Sequence, residues 1–197
     1  MQPLRVLLLL ACAVALAGCG SYSFRGTELE PPEPAPDFTL TGEGGQTFRL
    51  SDQRGSVVLL FFGFTNCPDV CPTALAEAAA VKRELGADGE RLQVVMVSVD
   101  PERDTPEITG RYAKRFDPSF IGLSGTRDEI EPVLRAYGVM ATRRDLPGSA
   151  LEYTVDHSAY MYAIDPAGRW RLIFSPGTPV SDIASDVRHL LRAGGGS

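Results

Sequence analysis

Two hydrophobic patterns alternate along this chain. Val57-Val-Leu-Leu-Phe-Phe62 and Leu92-Gln-Val-Val-Met-Val-Ser-Val99 are nearly unbroken apolar runs, the pattern of strands buried on both faces. Between them Ala74, Ala78, Val81 and Leu85 recur at spacings of four, three and four, which predicts a helix with one core-facing stripe. Upstream, Asp37-Phe-Thr-Leu40 and Thr47-Phe-Arg-Leu50, separated by glycines, predict a small antiparallel hairpin. Downstream, residues 105–116 and 127–137 predict helices, with Ile121-Gly-Leu123 as a short strand between them. Residues 159–164 and 171–174 flank the turn sequence Asp165-Pro-Ala-Gly168 and predict a second hairpin. Residues 182–192 predict a closing helix, and 193–197 a flexible tail. With no internal repeat and no splitting linker, residues 37–192 form one α/β domain, a central mixed sheet with flanking helices and an N-terminal β-hairpin.

The first residues follow another rule. An apolar run of 12 residues, 6–17, comes after Arg5. As a helix it rises about 18 Å, short of a bilayer core of about 30 Å. Residues 1–18 therefore read as a secretory signal peptide. The sequence Leu16-Ala-Gly-Cys19 resembles the lipobox of bacterial lipoproteins, which implies cleavage before Cys19 and lipidation of its thiol. The expected location is a membrane, with the domain on the extracytoplasmic side. Residues 19–36, with prolines at 31, 32, 34 and 36, read as an extended polyproline linker off that membrane.

The chain has 197 residues, 44% hydrophobic and 22% charged, ordinary values for a globular protein with one well-buried core. Its 25 acidic and 19 basic residues give a formal charge of −6. Without a Lys/Arg run, it lacks the electrostatic footprint of a nucleic-acid binder.

Cysteine carries more information. Cys12 leaves with the signal peptide and Cys19 takes the lipid, so Cys67 and Cys71 are the only two in the folded domain. Export exposes them to an oxidising compartment, where a vicinal pair tends to form a disulfide. They lie in Gly63-Phe-Thr-Asn-Cys-Pro-Asp-Val-Cys-Pro72, which joins the first buried strand to its helix, a favoured place for ligand sites in α/β sheets. Each precedes a proline, which disfavours the α region. Both cysteines are thus expected in a loop, with Pro72 at the first helical position. The helix dipole there would stabilise thiolates, the form that binds metals and attacks disulfides. The element order fits a thioredoxin-like fold.

A third ligand is sought among two histidines. His189, beside Leu190 and Leu191 in the last helix, reads as a packing residue. His157, just before the strand 159–164, sits where loops bring functional groups to a sheet edge. Two thiolates and an imidazole suit copper, soft enough for Cu(I) and able to hold Cu(II). Zinc accepts the same donors but usually takes a fourth in a closed site.

These residues resemble the Sco/SenC family, thioredoxin-like copper-binding factors for assembly of cytochrome c oxidase. The resemblance runs from about Pro36 to Arg192. It rests on the cysteine segment, on Ser98-Val-Asp-Pro-Glu-Arg-Asp-Thr-Pro106 and on Val155-Asp-His-Ser158. It implies that Cys67, Cys71 and His157 bind copper, and that the metal goes to the binuclear copper centre of the oxidase subunit. Asp156, next to the histidine, would tune affinity or the redox step. Asp100 and Asp104 match the family's acidic motif; from sequence they read equally well as a turn and a helix N-cap at Asp104 or Thr105. Asn66 stands where that family often has histidine.

The competing reading is a thiol–disulfide oxidoreductase that keeps the oxidase subunit's cysteines reduced. Three residues separate the two cysteines here, against two in thioredoxin-like motifs. No proline lies between Pro147 and Pro166, where thioredoxins place one opposite their cysteines. A dithiol reductase has no use for His157. Other periplasmic copper carriers or thiol reductases are further expected partners.

Overall fold

The strand Val57–Gly63 is buried at every residue and lies in the interior of an eight-stranded sheet. The computed structural model describes residues 22–194. In chain order its elements are β1 (Thr27–Pro34), β2 (Thr39–Gly42), β3 (Thr47–Arg49), β4 (Val57–Gly63) and α1 (Val70–Leu85). There follow β5 (Leu92–Ser98), α2 (Pro106–Lys114), β6 (Ile121–Ser124) and α3 (Arg127–Ala136), then β7 (Ala141–Asp145), β8 (Tyr153–His157), β9 (Met161–Ile164), β10 (Arg169–Phe174) and α4 (Val180–Ala193). The sheet order is β1-β10-β9-β4-β5-β6-β2-β3, with β7 and β8 forming a separate ribbon.

The sheet is mixed, as its residue patterns require. β4 pairs in parallel with β5, and β5 with β6, and these are the strands without polar alternation. β9 and β10 join antiparallel across the Asp165 turn, and β2–β3 is the expected N-terminal hairpin. Strand alternation then sorts β4 onto two faces. Phe61 and Gly63 face α1: a Cβ built on Gly63 would lie 2.9 Å from the Cys71 sulfur. Phe62 faces the other way, into an aromatic cluster with Tyr137, Tyr162 and, through these two, Trp170, at centroid separations of 5.3–5.8 Å. On the first face α1 packs against α4. Thr105 caps α2 and a Thr126–Glu129 capping box starts α3.

The polyproline segment departs from expectation. Residues 27–34 are not a linker but the edge strand β1, antiparallel to β10. Only Thr27, Glu28, Glu33 and Pro34 find partners, with a bulge between Glu28 and Glu33. Polyproline and β backbones are close neighbours in φ/ψ, and an edge strand needs only one side's N–H groups, so it tolerates proline. The domain thus begins upstream of residue 37. Tyr22 stacks on His189 at 3.9 Å, and its hydroxyl donates to the Asp186 carboxylate (2.8 Å), which also accepts from the backbone N–H of Arg25 and Gly26 (both 2.9 Å). His189 is therefore a packing residue. The expected signal peptide, Cys19 and residues 195–197 lie outside the described residues. Among the described residues no helix is long and apolar enough to cross a membrane.

Asp186 is fully buried and serves three donors of the N-terminal segment. Asp186→Ala should strand those donors and cost about 2–3 kcal/mol, read as a lower urea midpoint at unchanged slope. An unchanged midpoint would show that residues 22–26 add nothing to the fold.

Candidate metal centre

The cysteine loop leaves β4 at Gly63 and enters α1 at Val70. Asp69 is the N-cap residue, so Cys71 is the second helical residue, not the loop residue that the pre-proline rule predicted, and Pro72 is the third rather than the first; Cys67 lies in the loop as expected. The first turn of a helix has no intrahelical acceptor for its N–H groups, so a proline costs nothing at its third position either. The helical turn brings the backbone N–H of Cys71 to the Cys67 sulfur, 3.5 Å away. Cys71 is fully buried and Cys67 half-buried. Both are free thiols. The glycine at 63 leaves the space that the Cys71 sulfur occupies.

His157 comes from a different element than expected. It ends β8, the second strand of the ribbon, rather than lying in a loop ahead of the next strand. Its Nε2 lies 3.5 Å from Cys71 Sγ, and its Nδ1 lies 3.0 Å from the Ser158 carbonyl oxygen. With Nδ1–H donating to that carbonyl, the Nε2 lone pair faces the sulfurs. Phe64 and Phe61 set their rings edge-on to the imidazole, at 5.7 and 6.3 Å, and leave it little freedom to turn. Donor atoms of Cys67, Cys71 and His157 all lie within 4.8 Å of one another. Among the described residues this is the one cluster of its kind.

Burial governs the protonation of the set. It pushes the Cys71 thiol well above its usual range, and neighbouring Cys67 adds to the shift. The helix dipole expected to yield a thiolate at Cys71 is outweighed by desolvation. Burial also lowers the His157 pKa, keeping the imidazole neutral and its lone pair available. The set thus pairs a neutral thiol, which can exchange its proton for a soft cation, with a neutral imidazole, which offers its lone pair without losing one. Nearby, the Tyr112 hydroxyl is buried without a hydrogen-bond partner. Burial, helped by the two sulfurs, pushes its pKa up to about 12.

Two carboxylates from the segment after β5 hold the site. Asp104, 1% exposed, accepts from the Thr65 N–H (2.9 Å), the Thr65 hydroxyl (2.5 Å) and the Ser98 hydroxyl (2.7 Å). It therefore pins the start of the cysteine loop to β5. Asp100, 4% exposed, accepts from Arg103 Nε (2.6 Å) and from the Tyr153 hydroxyl (2.8 Å). Arg103 in turn donates to the carbonyls of Leu151 and Tyr153 and lies 3.6 Å over the Tyr153 ring. This strap ties the ribbon that carries His157 to the same segment. Asp104 is a buttress, and the N-cap falls to Thr105.

Asp156 does not orient the histidine. Alternation along β8 turns its side chain away from His157, and Arg144 takes the exposed carboxylate at 2.9 and 3.2 Å. The Ser158 carbonyl does that work instead. Asn66 is exposed at the loop tip. Sequence reading missed Thr65, Arg103 and Tyr153, since their signals are single polar residues at loop ends and one aromatic in a polar ribbon.

A thioredoxin-like α/β protein with a Cys–Cys–His metal-type cluster is what these features define. Residues 26–192 match the SCO1/SenC family model, and the chain belongs to that family. An SCO2-like protein of Rickettsia prowazekii is 37% identical over 133 residues, 68% of this chain and 65% of the relative. The chain thus spans just under two thirds of that relative's length. The solution structure of apo Sco1 from Thermus thermophilus is 42% identical, with TM-score 0.77, covering 87% of this chain and 99% of its own. Copper-bound ScoI of Bradyrhizobium japonicum is 38% identical, with TM-score 0.71, covering 80% and 99%. BsSco, 25% identical with TM-score 0.64 over 84% of this chain and 98% of its own, is a member of the Sco family of cytochrome c oxidase assembly proteins in which a disulfide switch has been identified.

Tyr153→Phe removes only the hydroxyl that Asp100 accepts. It should cost about 1.4 kcal/mol locally, raising amide exchange of residues 154–157 about tenfold, with little change at residues 71–75. Equal acceleration in both segments would contradict separate supports for histidine and cysteines.

Proposed function

We propose that this protein is a membrane-anchored copper chaperone that holds one copper through Cys67, Cys71 and His157 and supplies it to the binuclear copper centre of a cytochrome c oxidase subunit. The observation that carries this reading is the convergence of two sulfurs and one ring nitrogen within 4.8 Å, from a helix start and a ribbon end that share no sequence neighbourhood. Soft sulfurs favour Cu(I), and the imidazole adds the nitrogen that Cu(II) prefers. Three ligands with two partly exposed suit a cargo that must leave again. The copper-bound relative and the oxidase-assembly family support the same reading. It makes the protein a metallochaperone rather than a catalyst. Lipidation at Cys19 would place the domain on the extracytoplasmic face of a membrane, within reach of periplasmic copper carriers.

Thiol–disulfide exchange is a second reading with support of its own. Cys67 and Cys71 approach closely across one helical turn, and BsSco carries a disulfide switch. Oxidation of both thiols would pass two electrons and two protons to a partner disulfide, such as one in the oxidase subunit, and a periplasmic thiol reductase would return them to restore the dithiol. It would also abolish the copper site, so one pair can serve both activities in turn.

His157→Ala separates the two. It should leave the Cys67–Cys71 couple near its wild-type potential while weakening Cu(II) binding at least about 100-fold, beyond the loss of a supporting contact. Cys67→Ala or Cys71→Ala should abolish tight binding of either copper state. In a deletion strain scored by oxidase activity at limiting copper, full rescue by His157→Ala without rescue by Cys67→Ala would overturn the chaperone reading in favour of thiol exchange. Anchoring is read separately: Cys19→Ala should abolish incorporation of labelled fatty acid, and an unlabelled, soluble wild-type protein would refute it.

A further inference from the structure

Beside the cysteine loop lies a hollow of about 160 Å³. Its floor is apolar and buried: Ala74 of α1, Met161 of β9, Phe174 of β10 and Ile183 of α4. Along one side runs a strip of α1 from the N-cap residue Asp69 to Glu77. Asp69 and Val70 fall between the two cysteines in sequence, so the loop that carries the sulfur ligands also makes the near end of the hollow. Val70 there is 40% exposed, an apolar residue turned to solvent at the first helical position.

Charge and size say what fits. No lysine or arginine lines the hollow, and among the described residues no cation pairs with either carboxylate. Asp69 makes no capping bond. Glu77 is half-buried, and burial pushes its carboxyl up with no charge partner to oppose the shift. A carboxylate in that position is stabilised by a cation brought from outside. The volume is well below the roughly 300 Å³ at which small-molecule clefts begin, so the hollow suits one side chain rather than a whole ligand. Asp69 and Glu77 stand about two helical turns apart, about 12 Å at 1.5 Å per residue. An extended chain covers that distance in about four residues at 3.3 Å each.

We infer that this hollow is a docking site for an extended segment of the protein that accepts the copper, with an apolar side chain seated on the floor and a lysine or arginine at each end, one against Asp69 and one against Glu77. This rests on the chaperone reading and adds to it the recognition of the partner. The central side chain gives affinity through apolar area removed from water. The two cations fix register and direction of approach. A segment seated in this way lies along the helix that starts in the cysteine loop, so it holds the acceptor beside Cys67, the half-buried sulfur. Copper takes no part in the contact, and Glu77 takes no part in binding copper. Docking can therefore be lost while the metal is still held.

The probe is a capped pentapeptide with lysine at both ends, leucine at its centre and alanine between, added to the reduced full chain. Methyl resonances of Val70, Met161 and Ile183 should shift on titration, while Val133 of α3 stays in place. The same peptide with glutamate in place of lysine should shift none of them. Glu77→Gln, which keeps the shape and removes the charge, should weaken the lysine peptide about fivefold, and added salt should weaken its binding to the wild type. In the deletion strain, Glu77→Lys should lower oxidase activity about fivefold at limiting copper, yet take up Cu(I) from its bicinchoninate chelate as the wild type does. No shift with the lysine peptide, equal binding of both charged peptides, wild-type binding by Glu77→Gln, or full oxidase activity with Glu77→Lys would each overturn the inference and leave the chaperone reading intact. A wild-type protein that takes no copper from the chelate would instead overturn the chaperone reading, and this inference with it.

Discussion

The segment from Ser98 to Asp104 sets the geometry on which the candidate metal centre depends. Sulfur and nitrogen donors come from parts of the chain 86 residues apart, and neither part is positioned by its own local structure alone. Asp104 reaches back to Thr65 at the head of the cysteine loop. Asp100, through Arg103 and Tyr153, reaches forward to the histidine ribbon. Buried carboxylates are costly unless their hydrogen bonds are met, and here each carboxylate has at least two donors. The cost is recovered as geometry: both halves of the site are referenced to one point at the end of β5.

A layered domain supplies the rest. The parallel strands β4 and β5 end side by side, so the loops at their carboxyl ends meet at one edge of the sheet, where α/β folds place their ligand sites. The Cys71 sulfur fits because residue 63 has no side chain, and the imidazole is walled by Phe61 and Phe64 from the same strand and its continuation. The result is a cluster in which Cys71 is buried and Cys67 and His157 are half-buried. Burial keeps Cys71 protonated and His157 neutral until a cation arrives.

Much of this was legible in the residue pattern. Unbroken apolar runs announced β4 and β5, the Ala74–Leu85 stripe announced α1, and the Asp-Pro-Ala-Gly turn announced the β9–β10 hairpin. The cysteine pair and the one histidine outside a helical stripe were visible because few other residues do their chemistry. What was not legible lacked periodicity. β7 reads Ala-Thr-Arg-Arg-Asp with no buried residue, and β8 contributes only Tyr153 and Val155 to the core, so the ribbon carrying His157 gave no apolar signal. β1 was hidden by its prolines, which mark a linker when nothing pairs with them and an edge strand when β10 does. Asp156 drew attention by adjacency, but a β-strand sends adjacent residues to opposite faces, and its partner is Arg144.

The account stands on one claim: that two cysteine sulfurs and one histidine nitrogen close on a single copper. X-ray absorption fine structure of the copper-loaded protein measures those neighbours directly. Two sulfur scatterers and one imidazole nitrogen around copper, with the nitrogen shell lost in His157→Ala, is the predicted result. A sulfur-only shell that His157→Ala leaves unchanged would contradict it.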